Sequence, residues 1–270
     1  LALGLTLLGS ATAGVVGVPV VQWLIVNHGW RSGYLGIAAF SALVVFPLVM
    51  LLLRAPKTGT PAAAQAAPAS GMTLPEALRT PTFWTIAIAI LALITAQSGT
   101  IIHLVPLLTD RGLEPVEAAG LAGVMGISVF ISRVIVGGLL DRFSPPIVAG
   151  LTLLAPVASM AILALCGDHR LGILVAVLLL GLAAGAEIDF LSFFAARHFG
   201  MRAYGRIYGW LFAMFSMGNG IGAPLVGAIY DAQGGYQLAI WGAAALFAVG
   251  AALFASLALR PVWDETPAHG

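Results

Sequence analysis

The residues most able to do chemistry are ionisable side chains inside long apolar runs. Arg133 lies in MGISVFISRVIVGGLLDRF, residues 125–143, and Glu187 and Asp189 lie in GLAAGAEIDFLSFF, residues 181–194. An arginine near the centre of a membrane helix costs about 2.5–3.5 kcal/mol even on a mild scale. This cost indicates a compensating partner, and a planar guanidinium is suited to hold a carboxylate through two hydrogen bonds. We therefore expect Arg133 to bind a carboxylate ligand in a wet central cavity.

Two alternatives remain for Arg133. It lies eight residues before Asp141, about 12 Å along a helix, so the side chain could extend toward the membrane boundary. It could instead form a structural pair with a carboxylate of another helix.

Three further polar residues precede Arg133 in another apolar run. Gln97, Thr100 and His103 are spaced by three in TAQSGTIIHLVPLL, and we expect them to line the same cavity as ligand-binding residues. A histidine there can bind an anion or exchange a proton. Alternatively, His103 marks the outer membrane boundary.

The two membrane carboxylates are candidates for proton coupling or gating, because an intramembrane carboxylate is a common proton carrier. Glu187 and Asp189 are two residues apart, about 200° around a helix, so they do not share a face. For Asp189, near the inner end of its helix, a gating salt bridge with Arg197 or Arg142 is favoured. For Glu187 the sequence favours neither role.

Composition makes lipid the solvent for most of the chain. Of its 270 residues 60% are hydrophobic and 9% are charged, whereas soluble domains carry about 25% charged residues. Spanning a bilayer takes about 20 apolar residues, and continuous rather than alternating apolar runs predict helices, not a barrel. The sequence predicts an all-α integral membrane protein with eight transmembrane helices, at residues 4–26, 33–53, 83–107, 117–139, 146–166, 171–194, 208–230 and 236–259.

The charged loops predict an orientation. Alternate loops hold eight basic residues on one side and three on the other, and the richer side should be cytoplasmic. That side includes the loop 55–80 and the tail 263–270. Within this loop, TLPEALRT predicts a short helix, since Thr73 and Glu76 have capping-box spacing.

An internal repeat predicts the domain organisation. GVPVVQWLIVNHGW, residues 17–30, aligns without gaps with GAPLVGAIYDAQGG, residues 222–235. A parallel repeat predicts a six-helix second half at 81–262 and places 1–54 as the last two helices of a first half, with four more helices of the same chain missing upstream. We expect small residues and prolines to thin, bend and pack these helices, namely Gly17, Pro19, Gly181, Gly185, Gly222 and Pro224.

These features resemble the major facilitator superfamily, with the chain corresponding to helices 5–12 of twelve. GSATAGVVGVPV resembles the fifth helix of the family, and GGLLDR, residues 137–142, resembles its G-x-L-x-D-R signature. TLPEALRTPTFW, SRVIVGGLLDR and ARHFGMRAYGRIYG are most similar to the monocarboxylate and oxalate–formate porter branch.

The resemblance implies an alternating-access transporter of a small organic anion, by proton symport or anion exchange, in a bacterial inner membrane. It implies that Arg133 binds the substrate carboxylate and that Asp141 and Arg142 latch the cytoplasmic side, although these two residues could also form an ordinary turn. Some porters carry an aspartate one turn before this arginine, where this chain has Val129.

Other classes of protein are less consistent with the sequence. A drug or cation exporter should have an acidic cavity, and a receptor should transport nothing. No pattern for a nucleophile, a metal site or a cofactor occurs, so neither an enzyme nor a cofactor is expected. The expected partners are the lipid bilayer and a small anionic solute, and the basic loops set topology rather than bind nucleic acid.

Overall fold

The computed structural model describes residues 18–52, 70–140, 142–165, 169–185 and 187–260. The chain divides into two compact units, residues 1–67 and 68–270. In the described residues both units are built from helices, and the isolated bridge between Gly71 and Gly200 joins two turns. The predicted all-α class is therefore confirmed.

The first unit is described from residue 18 and contains a helical pair. Its helices are α1 (Val18–His28), α2 (Trp30–Phe40) and α3 (Phe46–Leu52), with a π-helical turn at Ser41–Val45 that makes α2 and α3 one run. Gly29, with a φ of 82°, lies between α1 and α2, and such a left-handed conformation favours glycine. The predicted span 33–53 appears as residues 30–51. Most of the predicted span 4–26, including Gly17, lies outside the described residues, whereas Pro19 is the second residue of α1.

The second unit contains nine α-helices in its described residues. They are α4 (Leu74–Arg79), α5 (Pro81–Ile102), α6 (Leu104–Asp110), α7 (Pro115–Leu140), α8 (Pro145–Leu165), α9 (Arg170–Ala184), α10 (Glu187–Phe199), α11 (Tyr204–Gln233) and α12 (Gln237–Ser256). Five of them, α5, α7, α8, α11 and α12, are long and apolar enough to cross a membrane, as is Trp30–Leu51 of the first unit.

Two predicted helices are each divided in the structure. The run 171–194 was expected to be one helix, but α9 ends at Ala184 and α10 begins at Glu187. The run 83–107 changes from α5 to α6 at His103, whose φ of −94° and ψ of 6° depart from helical values. Apolar composition alone does not reveal such divisions, because most of the residues on both sides are hydrophobic.

The packing of the second unit is centred on α5. α5 packs against α11 and α12, α8 packs against α12 and α9, and α9 packs against α7. Aromatic rings fill the interior where α10 meets α12, with centroids of Phe194 and Phe254 5.2 Å apart. Ile86, Leu93 and Phe247 are also fully buried. Dispersion contacts of this density hold helices together in lipid, where apolar burial itself contributes little.

Small residues bring α7 and α9 into close contact. A Cβ atom added at Gly181 would lie 2.7 Å from the Met125 carbonyl oxygen, and one at Gly185 would lie 2.6 Å from that of Val129. This approach allows Ser128 Oγ to donate a hydrogen bond of 2.6 Å to the Leu178 carbonyl. The next turn repeats the arrangement, with Ser132 Oγ donating to the Leu182 carbonyl.

α5 and α11 make a second close contact. A Cβ atom at Gly222 would lie 2.8 Å from Gly99 N and would clash with the Thr95 carbonyl oxygen. Ser98 Oγ donates a 3.0 Å hydrogen bond to the Asn219 carbonyl at the same crossing. Pro224 lies inside α11 two residues after Gly222, where its ring removes one backbone donor.

The segment before α5 is fixed to the turn between α10 and α11. Met72 N donates to the Phe199 carbonyl at 2.8 Å, and Met201 N donates to the Ser70 carbonyl at 2.9 Å. The predicted capping box on α4 is confirmed, with Thr73 N donating to Glu76 Oε2 at 2.7 Å. Backbone and side-chain hydrogen bonds from Thr73, with the nearby charge of Arg202, lower the pKa of Glu76 below its ordinary value of 4.5.

Alanine at the two close contacts should destabilise the bundle. Gly181→Ala and Gly222→Ala place a methyl group against backbone, and overpacking costs about 1–3 kcal/mol, while alanine returns about 1 kcal/mol of helix propensity. We expect both to lower the unfolding temperature in detergent. Gly242→Ala is the matched control, because a Cβ atom there meets nothing within 4 Å. Equal unfolding temperatures for all three variants would contradict the packing described.

The capping box should protect α4 in a pH-dependent manner. The folded pKa of Glu76 is lowered, so its stabilisation is complete above pH 4.5 and is lost as the pH falls below that value. We expect the amides of residues 73–77 to exchange with deuterium more slowly in the wild type than in Glu76→Gln near pH 6. This difference should shrink toward zero at lower pH. A difference that persists unchanged at low pH contradicts the role of the carboxylate.

Candidate functional site

A hydrogen bond between two helices forms the centre of the candidate site. Gln97 Nε2, on α5, donates to Glu187 Oε1 at the first residue of α10. The Gln97 side chain is buried, with 4% of its surface exposed. Its other polar atom, Oε1, is buried and accepts no hydrogen bond in the described structure. The site therefore contains an ionisable group beside an unused hydrogen-bond acceptor.

A third helix adds a positive charge to this site. Arg133 lies in α7 and its side chain is partly buried. The Glu187 carboxylate lies near enough for this charge to act on it. In a low-dielectric interior such an attraction is far stronger than in water. The structure thus brings together Arg133, Glu187 and Gln97, which the sequence analysis had placed in two separate roles.

The two close contacts position these side chains. The hydrogen bonds of Ser128 and Ser132 join α7 to α9 within two turns of Arg133 along α7. The contact of Gly99 with Gly222 holds α5 against α11, two residues beyond Gln97. α10 in turn packs against α5 and α11. Each charged or polar group of the site is therefore held by backbone that is itself tightly packed.

Thr100 and His103 lie among different neighbours from Gln97. His103 Nδ1 lies 3.1 Å from the Gly99 carbonyl oxygen, and its ring is 5.9 Å from that of Tyr236. Thr100 Oγ1 donates to the Ala96 carbonyl at 2.7 Å. Both residues line a small pocket, together with Met160 of α8. The expected stripe of three polar residues is thus split between two places, and a substrate-binding role for Thr100 and His103 stays a prediction.

The predicted cytoplasmic latch is described only in part. Arg142 is exposed in the turn after α7, with its backbone N donating to the Leu139 carbonyl at 3.1 Å. Asp141 lies outside the described residues. Asp189 belongs to the first turn of α10, and the guanidinium of Arg197 lies 5.8 Å from the centre of the Phe193 ring. The gating roles of Asp141, Arg142 and Asp189 remain predictions.

Ser128 and Ser132 are structural residues that the sequence analysis missed. The sequence does contain a signal for them, because two serines four residues apart share a helix face. Arg133 follows directly after the second of these serines. They lie opposite Gly181 and Gly185, whose spacing had been noted. Pairing the two patterns would have predicted the α7–α9 contact.

The Major Facilitator Superfamily model matches residues 1–212. The chain belongs to this superfamily. It is therefore a multi-pass integral membrane protein of a transporter family, which is not a class of enzymes. Among the described residues, no group of three or more His, Cys, Asp or Glu side chains could hold a metal ion.

Curated relatives of this superfamily member are monocarboxylate transporters. It is 29% identical to monocarboxylate transporter 13 of Bos taurus over 266 residues, which cover 95% of this chain and 59% of that protein. It is 30% identical to monocarboxylate transporter 13 of Rattus norvegicus, with the same coverage, and 26% identical to monocarboxylate transporter 11 of Homo sapiens. The chain thus spans less than two thirds of the length of these relatives.

The fold of this superfamily member is also similar to that of solved structures. A crystal structure of the E. coli fucose:proton symporter FucP matches with a TM-score of 0.61 and 19% identity, over 84% of this chain and 56% of that one. FucP in the outward conformation matches with a TM-score of 0.59 and 21% identity, over 84% of this chain and 54% of that one. These similarities show the fold, in agreement with the helical bundle predicted from the sequence.

The contact between α5 and α10 can be tested by cross-linking. In a cysteine-free background of the full-length protein, we expect Gln97→Cys with Glu187→Cys to be joined rapidly by a short bifunctional thiol reagent, because these side chains touch. His103→Cys with Glu187→Cys is the control, since His103 contacts Tyr236 instead. Equal cross-linking of both pairs would contradict the described site.

Proposed function

We propose that the full-length protein is a secondary transporter of a small organic anion, a mono- or dicarboxylate. The observation that carries the proposal is Arg133, a partly buried arginine inside α7, a helix long and apolar enough to cross a membrane. A guanidinium held in this environment is a carboxylate receptor, because it presents planar paired donors and cannot lose its charge. The similarity to monocarboxylate transporters supports the same class of cargo.

We place the binding site on the inner faces of α5, α7 and α10 of the second unit. Superfamily transporters expose a midplane site alternately to each side by rocking two halves of the molecule. The first unit would supply the last two helices of the other half, and four upstream helices of the same chain would complete the cavity wall. Transport is then a property of the complete protein, driven by proton symport or by exchange with another anion.

The proposed location is a bacterial inner membrane, with residues 55–80 and the C-terminus in the cytoplasm. The excess of basic residues in one set of loops supports this orientation. Asp141 and Arg142 would then lie at the cytoplasmic end of α7. There they would brace the closed inner gate through contacts that break on opening.

The substitution of Arg133 tests the substrate class. Full-length protein in proteoliposomes should take up at least one of radiolabelled acetate, lactate, pyruvate, oxalate and succinate. Arg133→Gln should reduce that uptake by at least about 10-fold, because a hydrogen bond to a charged group contributes about 1.5–3 kcal/mol. Arg133→Lys should retain part of it, since a lysine keeps the charge but not the paired donors.

Arg170→Gln is the matched control for this experiment. Arg170 is an exposed arginine that pairs with Glu117 at the far end of α7, so its substitution should leave uptake unchanged. Undiminished carboxylate uptake by Arg133→Gln contradicts the proposed role. Transport of lipophilic cations but no carboxylate would favour an exporter of cations, and no transport across both panels would favour a receptor.

A further inference from the structure

The end of the second unit at which α4 lies carries an excess of positive charge. The segments 70–79 and 197–206 contain one carboxylate, that of Glu76, and four arginines, namely Arg79, Arg197, Arg202 and Arg206. All four arginines are exposed. Within the part of the chain that the structure describes, none of them forms a salt bridge. These four guanidinium groups, here called the basic surface, are therefore open to a partner from outside the chain.

Backbone hydrogen bonds hold the two segments of the basic surface together. The Ser70 carbonyl accepts from Met201 N at 2.9 Å and from Arg202 N at 3.2 Å, and Met72 N donates to the Phe199 carbonyl at 2.8 Å. Gly71 allows this approach, because a Cβ atom there would lie 2.7 Å from the Phe199 carbonyl oxygen. The helix that follows, α4, packs against α5 and α11. The fold thus fixes the end of α4 beside the turn that begins α11.

Neighbouring apolar side chains indicate the depth of the basic surface in a membrane. The apolar helices Pro81–Ile102 and Tyr204–Gln233 begin two residues after Arg79 and Arg202. Trp84 and Trp210, near these two starts, are half exposed, and Trp84 Nε1 donates to the Leu78 carbonyl at 3.0 Å. Tryptophans in such positions are typical of the headgroup level of a bilayer. The arginines therefore lie at the depth of the lipid phosphates.

The chemistry of the basic surface matches a phosphate group. A guanidinium offers planar paired donors to phosphate oxygens. The first turn of α11 has no acidic residue and no capping side chain, so the partial positive charge of its backbone adds to that of Arg206. The carboxylate of Glu76 lies near Arg202 and offsets part of the charge, but its Oε2 also accepts the hydrogen bond of Thr73 N. Three positive charges therefore remain uncompensated.

We propose that the basic surface binds the headgroup of an anionic phospholipid, with Arg79, Arg202 and Arg206 as ligands of its phosphate. A lipid rather than a soluble anion is the partner, because exposed Trp84, Met201 and Trp210 adjoin these arginines and offer contacts to the acyl chains. A bound lipid joins α4 to α11 and so strengthens the attachment of segment 70–79. This inference goes beyond the proposed transport and does not depend on the substrate.

A lipid titration of the full-length protein in neutral detergent tests this site. The unfolding temperature is followed as dioleoyl phosphatidylglycerol is added, with dioleoyl phosphatidylcholine and inorganic phosphate in separate titrations. We expect phosphatidylglycerol alone to raise the unfolding temperature, because a ligand that binds only the folded state stabilises it. The rise should shrink between 0.1 M and 1 M NaCl, since the screening length falls from about 10 Å to about 3 Å.

Substitutions separate the basic surface from the net charge of the protein. Arg202→Gln should raise the apparent dissociation constant for phosphatidylglycerol about fivefold, and Arg206→Gln added to it about fivefold more. Arg142→Gln is the matched control, because Arg142 is exposed in the turn after α7, a helix that packs against α6, α8 and α9. It should leave the constant unchanged. Gly71→Val keeps every arginine but displaces segment 70–72, so it should also weaken lipid binding.

Several results would overturn the proposal. No rise with phosphatidylglycerol, or an equal rise with phosphatidylcholine or with inorganic phosphate, contradicts a site for an anionic lipid. An unchanged dissociation constant in the variant that lacks both Arg202 and Arg206 contradicts their role as ligands. If Gly71→Val does not fold, the arginine variants decide the matter, since both side chains are exposed. Carboxylate uptake is not measured here, so failure of the proposed transport leaves this test intact.

Discussion

A positive charge within the membrane must be balanced in every state that the protein adopts. Arg133 of α7 lies near enough for its charge to act on the Glu187 carboxylate of α10, and that carboxylate accepts a hydrogen bond from Gln97 of α5. These three residues come from three helices that are far apart in the sequence.

The close helix contacts of the second unit hold these three residues in position. Serines and glycines bring α7 onto α9, and glycines bring α5 onto α11, so that backbones rather than long side chains meet at both crossings. Such contacts leave few alternative arrangements, since a helix cannot slide when its neighbour fills the space beside each glycine. α10 begins at Glu187, beside the division between α9 and α10. The ionisable group thus lies at a helix start, and substrate sites of transporters are often built from discontinuous helices.

Much of the architecture could be predicted from the sequence, and part of the site could not. Long apolar runs give the spans at 30–51, 81–102 and 237–259 within a few residues of the predicted limits, because the length of a span is set by the bilayer. Thr73 and Glu76 predicted their capping box because its two hydrogen bonds are local. The partner of Glu187 could not be predicted, since Gln97 and Glu187 are ninety residues apart and only the packing of α5 with α10 brings them together.

The same limit explains the prediction of one polar stripe on α5. Gln97, Thr100 and His103 are spaced by three, and each step leaves the next side chain about 60° around the helix from the last, so that the two steps from Gln97 to His103 add up to about 120°. His103 also ends α5 and contacts Tyr236, which periodicity alone does not indicate. Charged residues in apolar runs are the unusual feature of this sequence, whereas their neighbours depend on tertiary structure.

The pairing of Arg133 with Glu187 is tested most directly by a double-mutant cycle of stability. The free energy of unfolding of the full-length protein, without substrate, is measured for the wild type, Arg133→Gln, Glu187→Gln and the double variant. Each single substitution leaves one charge unbalanced, so the double variant should be less destabilised than the sum of the two, with a coupling of about 0.5–3 kcal/mol. Additive effects within about 0.3 kcal/mol would show that the two residues are independent, and would contradict the central claim.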